Sequence, residues 1–280
     1  MPFNLKKKKF ALAASGLLLA CLVPLQAQAH RSWLLPSSVQ VDGKDPWVTV
    51  DAAVSENLFD FDTNVLKLDG LVIVGPDGQP VQPANAFSGR LRSSFDVKLS
   101  LPGTYKIGLV NESMMASYRL NGEMKRWRGS VEAFAKEVPS NAEELRSTRM
   151  HSRLETFVSA GKPNTTVFKP TGTGLELVPL SHPSELLAGE KADFRLLLDG
   201  KPAANLSVSL IPGGVRYGGA LNETRVSTNA NGEFSVVWPQ AGKYWVSASY
   251  PARLEPVAGQ PPANVARRVS YSGTLEVLPQ

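Results

Sequence analysis

FDVKLSLPGTYKIGL at residues 95–109 aligns without gaps on FSVVWPQAGKYWVSA at residues 234–248. Phe95 matches Phe234, Val97 matches Val236, Gly103 matches Gly242 and Tyr105 matches Tyr244. Each copy alternates apolar and polar residues, pauses at a glycine and resumes with an aromatic. That is the pattern of a strand, a tight reversal that glycine permits, and a return strand with one buried face. Upstream of each copy stands an Asp-Gly-x-Pro turn, Asp77–Pro80 and Asp199–Pro202. The repeat predicts two related β units in one chain.

The rest of the sequence extends this pattern. Trp47–Asp51 and Leu206–Leu210 alternate in the same way, and Gly75–Gly78 and Asn229–Gly232 supply turn residues. Short strands separated by regular turn signals predict a mainly β protein, two Ig-like or prealbumin-like β-sandwich domains. The domains are expected at 30–128 and 165–280. Residues 129–164 read as a helical insert and linker. Within it Ser140 and Glu143 have the spacing of a capping box, which predicts a short helix near 141–150 and a strand near 152–159.

The N-terminus has a different character. Lys6–Lys9 precede an apolar run from Phe10 to Val23, and Ala27-Gln28-Ala29 offers small residues for cleavage. This three-part layout predicts a secretory signal at 1–29 and a periplasmic mature chain. The apolar run is shorter than the roughly 20 residues a membrane span needs, and no later segment reaches that length, so no transmembrane anchor is expected in the mature chain. A competing reading, lipidation at Cys21, fits less well because the apolar run continues past the cysteine. Removing 1–29 takes away four lysines and no acids, so a net charge of +5 becomes +1. A nearly neutral exported chain gives no reason to expect nucleic acid as a partner. Cys21 is the only cysteine. The mature chain therefore has neither a disulfide nor a thiolate, and no nucleophile or phosphate-loop motif appears. A non-enzymatic protein is expected.

Cleavage after Ala29 would make His30 the first residue. Its free α-amine and ring Nδ1 could then chelate a transition metal together, which an internal histidine cannot do. Such a terminus needs further ligands. The other histidines are His151 and His182, with Asp51, Glu56, Asp60 and Asp62 as acidic candidates. Each has a plainer reading. His182, before Pro183, suits a turn residue bonding its own backbone. His151 suits a cation closing the predicted helix. The acids suit a solvated loop, since their spacing does not match a calcium loop. The basic, aromatic stretch Tyr118–Arg128 suits a strand edge protected by charge.

His30–Ser37 directly after a signal, Leu175–Pro202, Asn231–Phe234 and Ala241–Tyr244 resemble the bacterial domain of unknown function 4198 family. That family is exported, and some members are described as nickel- or cobalt-uptake components. The resemblance implies binding of a transition-metal ion (nickel, cobalt or copper) for uptake or delivery. Its ligands would be His30 and, less directly, His182, and its partner a membrane metal transporter. His151 remains open as a further ligand. Two other readings stand beside this one. The first is a metal-free Ig-like binding module for a protein or glycan. The second is a copper oxidase of the histidine-brace type, which requires a second histidine beside His30.

Overall fold

Alternating sequence becomes strand nearly throughout the computed structural model, which describes residues 30–214, 216, 221–251 and 266–280. The expected signal segment, with Cys21, lies outside these residues. In chain order the N-terminal half contains β1 (Arg31–Pro36), β2 (Gln40–Val41), β3 (Trp47–Ser55), β4 (Asn64–Val65), β5 (Leu71–Val74), β6 (Ala84–Ser88), β7 (Ser93–Lys98), β8 (Gly103–Leu120) and β9 (Glu123–Gly129). A helix, α1 (Val131–Glu137), and a long strand, β10 (Glu143–Ala160), follow. The C-terminal half contains β11 (Leu175–Pro179), β12 (Lys191–Leu198), β13 (Lys201–Pro202), β14 (Ser207–Pro212), β15 (Thr224–Ser227), β16 (Glu233–Val237), β17 (Gly242–Tyr250) and β18 (Arg267–Val277).

The strands form three sheets. One nine-stranded sheet runs β15-β14-β17-β18-β10-β8-β5, with β2 paired to β10 and β9 to β8. Its centre is the parallel pairing of β10 with β18, Arg149–Thr156 against Arg267–Thr274, so strands from both halves belong to one sheet. A five-stranded sheet (β1-β3-β7-β6, with β4) and a four-stranded sheet (β11-β12-β13, with β16) complete the set.

These smaller sheets lie on opposite faces of the large one, and the side chains of β10 show it. Leu154, Val158 and Ala160 share a core with Val48, Val50, Phe95, Tyr105 and Ile107. Phe157, one residue out of phase, belongs to the core of Phe194, Leu196, Phe234, Tyr244 and Tyr271. Successive strand residues point to opposite faces, so β10 serves one core with even residues and the other with odd ones. A third, smaller cluster of Trp33, Ala53, Leu58 and Ile211 joins β1 to β14.

The internal repeat is structural. In each half the strand before the glycine (β7, β16) lies in a small sheet and the strand after it (β8, β17) enters the large one. Gly103 and Gly242 have φ of 132° and 142°, a region that favours glycine. Tyr105 Oη donates to Leu101 O and Tyr244 Oη to Gln240 O, each at 2.9 Å. Both are tyrosine corners of the kind found in immunoglobulin-like sandwiches.

The insert differs from expectation. The helix is α1, capped by Ser130, whose Oγ accepts from Ala133 N at 3.1 Å. The predicted helix at 141–150 is instead the start of β10, with Glu144 at φ 51° beside a register shift between Glu143 and Arg146. Pairing with β8 along the whole of β10 overrides the local helical preference of Glu-Glu-Leu-Arg. His151 therefore sits inside a strand and closes no helix. Among the described residues β9 pairs only with β8, and it carries exposed Lys125, Arg126 and Arg128, a charged edge strand as its composition suggested.

Candidate functional site

His30 is placed by the strand that follows it. Trp33 is fully buried, donates from Nε1 to Ser55 Oγ at 2.8 Å and packs against Phe59 and Phe61. Trp245 Nε1 donates to Ser32 O at 2.9 Å, and Arg31 Nη1 to Glu56 O at 3.1 Å. These contacts tie β1, at the edge of the five-stranded sheet, to the large sheet and bring His30 beside Glu56. His30 Nε2 lies 3.5 Å from Glu56 Oε1, both side chains about half exposed. A carboxylate on Nε2 leaves Nδ1 as the free nitrogen, the one able to close a chelate with an α-amine.

The other acids disperse. Asp62 caps its own loop, accepting from Glu56 N and Asn57 N at 3.0 Å and from the Asn57 and Thr63 side chains. Burial would raise its pKa, but these donors outweigh that and lower it. Asp51 faces Arg92 and Asp60 faces Arg216.

His182 is occupied on both nitrogens. Ser184 N donates to Nδ1 at 3.2 Å, which puts the ring proton on Nε2, and Nε2 lies 3.0 Å from Thr104 Oγ1 and 3.1 Å from Asn164 O. The ring also packs against Phe168 at 5.2 Å. This is the turn geometry, extended into a buried network. Ser159 Oγ lies 3.0 Å from Thr104 Oγ1 and 2.8 Å from Ser184 Oγ, tying the start of β8 to the C-terminal half.

His151 lies on β10 with Arg153, Glu155 and Phe157, the face of the large sheet opposite β1. The residue is 4 % exposed and its ring rests against Gly174, where a Cβ would stand 2.3 Å from ring atoms. Burial, then the charge of Arg153, lowers its pKa and favours the neutral ring. Arg153 Nη1 donates to Glu155 Oε1 at 3.2 Å, and its Nη2 lies 3.6 Å from Glu176 Oε1. Glu176 takes the amides of Thr171 and Gly172 and the Thr171 hydroxyl, each at 2.8 Å. Burial opposes its ionisation, but these donors and Arg153 prevail and lower its pKa.

The three histidines thus serve three separate neighbourhoods. Among the described residues no group of three or more His, Cys, Asp or Glu stands together in metal-holding geometry. His30 with Glu56 fits a terminal chelate with an orienting carboxylate and does not fit a closed protein cage. The histidine-brace reading lacks its second histidine, because His182 is committed and His151 faces away. The sequence reading missed Arg153, Glu155 and Glu176. Three charged residues amid β-sheet alternation were the available signal, since buried charges need partners.

A family model for a domain of unknown function (DUF4198) matches residues 27–252. No curated protein matches the chain. Among solved structures, the D0-D1 domain of intimin is 12% identical, covering 88% of this chain and 97% of its own, with a TM-score of 0.22. An ICAM-5 D1-D4 ectodomain fragment is 9% identical, covering 89% of this chain and 51% of its own, with a TM-score of 0.21. The sheet order and the two tyrosine corners are those of Ig-like β architecture. No helix among the described residues is long and apolar enough to cross a membrane.

Proposed function

The chain belongs to the DUF4198 family of domains of unknown function, and on that premise we propose that it is an exported, non-enzymatic protein that carries a transition-metal ion. The ion (nickel, cobalt or copper) is its cargo, taken at His30 after removal of residues 1–29 in the periplasm and passed to a membrane transporter. The scaffold is the pair of cores on the two faces of the large sheet, with β10, between 30–128 and 165–280, contributing to both.

One observation carries this reading: Glu56 stands at Nε2 of His30 and leaves Nδ1 for the chelate. The terminal amine and Nδ1 give two ligands, and the open positions suit an ion that must be handed on. His182 and His151 take no part.

Mass spectrometry of the exported protein should find His30 as the first residue. Calorimetric titration with Ni(II), Co(II) and Cu(II) should then show binding that His30→Ala abolishes. Glu56→Gln should weaken it by about 10–100-fold, the usual cost of losing an orienting partner. Equal affinity in wild type and His30→Ala would sink the metal reading. The remaining reading would then be a metal-free module whose sandwich loops hold a protein or glycan partner.

A further inference from the structure

The face of the large sheet that carries His151 is only partly covered. Beside the margin of the four-stranded sheet lies a cavity of about 310 Å³. At about 30 Å³ per water it has room for about ten waters, near the lower end of small-molecule pockets. Val72 and Val74 of β5 and Val110 of β8 form an apolar wall. His151, Arg153 and Glu155 of β10 form the wall opposite, and the loop at Thr171 and Thr173 closes it.

The cavity is built into the fold. Gly108 leaves its floor open, since a Cβ there would meet Glu155 Cγ and Leu154 O at 3.3 Å. The loop wall is pinned by a buried side chain, Arg153, whose Nη2 donates to Thr171 Oγ1 at 3.1 Å and to Thr173 O at 3.2 Å. Two atoms in this wall, His151 Nδ1 and Arg153 Nε, have no partner, on residues only 4 % and 6 % exposed. Buried polar atoms are rarely left unpaired, and their presence beside a cavity points to a polar guest.

Charge selects the guest. Glu155 is taken up by Arg153, and Glu176 by the loop amides. Among the described residues that leaves Lys106, which lines the cavity from β8 next to Val74, as the wall's cation without an acid of its own. We propose that the cavity binds a small amphipathic monocarboxylate, its carboxylate on Lys106 and its short apolar body on Val72, Val74 and Val110. This site is independent of the metal reading, because it occupies the opposite face of the sheet from β1.

The test is titration of the mature chain, residues 30–280, with hexanoate, benzoate, hexanol and hexylamine, followed by ligand-observed NMR and calorimetry. Hexanoate and benzoate should bind more tightly than hexanol or hexylamine. Lys106→Met should weaken hexanoate by about tenfold or more, the usual cost of a lost charge-assisted hydrogen bond, and leave hexanol unchanged. Val72→Trp, at a half-exposed position on the rim, should exclude both. His30→Ala should alter none of these affinities. No hexanoate binding to wild type, equal hexanoate binding in Lys106→Met, or tighter binding of hexylamine would each overturn the proposal. Should Val72→Trp fail to fold, the hexanoate-to-hexanol ratio in Lys106→Met decides the matter.

Discussion

At the scale of single residues, three positions have consequences that can be measured. Arg153 neutralises Glu155 and lies close to Glu176 in a buried setting. Arg153→Met should cost about 3–5 kcal/mol in urea unfolding, because it strands charges in a low-dielectric interior. Gly174 at φ 73° carries the His151 ring where a Cβ would be. Gly174→Ala should destabilise by at least ~1–3 kcal/mol through backbone strain alone. Asp199 receives both Nη1 and Nη2 of Arg267 at 2.6 and 2.8 Å, and that bond, with the Gly174 amide, lowers its pKa to about 2. A depressed carboxylate contributes stability above its unfolded pKa of about 3.9 and loses it as the pH falls through its folded value. Asp199→Asn should therefore cost up to about 1 kcal/mol at pH 7, a value set by its exposed position. The difference from wild type should shrink between pH 4 and pH 2. None of these partnerships could be read from the chain, since each joins residues whose proximity depends on sheet register.

At the scale of elements, β1 and β10 show where local pattern succeeds and where it stops. Trp33 in β1 is fully enclosed, and Trp33→Ala should cost about 3–5 kcal/mol. Because Trp33 also positions the strand that carries His30, the metal affinity proposed for His30 should fall in that variant even under conditions where it stays folded. The strands at Trp47–Asp51, Phe95–Leu99, Leu206–Leu210 and Tyr244–Ala248 were legible because one face of each is buried and the other is less so. β10 was legible only in its second half: the strand expected near 152–159 lies within it, whereas Glu143–Met150 offers helix-forming residues and reads as helix. From Arg153 to Ala160 every residue is buried, so the segment lacks the buried-exposed alternation that would show one covered face. The true cap, Ser130, precedes Val131-Glu132-Ala133 and has no Glu or Gln three residues on to advertise it.

At the scale of the whole molecule, the shared sheet makes the two halves depend on each other. β18 has β17 on one side and β10 on the other. A fragment of residues 165–280 would expose the β18 edge and take Phe157 out of its core. It should be unstable or self-associating by circular dichroism and ultracentrifugation, whereas residues 143–280 should be more stable by restoring β10. A fragment 165–280 that melts cooperatively as a monomer would count against the dependence. The sequence by itself determined the β class, the internal repeat, the two glycine-to-tyrosine corners and the local reason to suspect His30. These rest on patterns within some fifteen residues, where alternation and backbone conformation act directly. Tertiary structure alone decided that β10 is already strand from Glu143 and joins the halves, that Glu56 meets His30, that His182 is committed, and that His151, Arg153 and Lys106 border one cavity. The physical reason is that register and face are set by long-range pairing, and a side chain's partners follow from them.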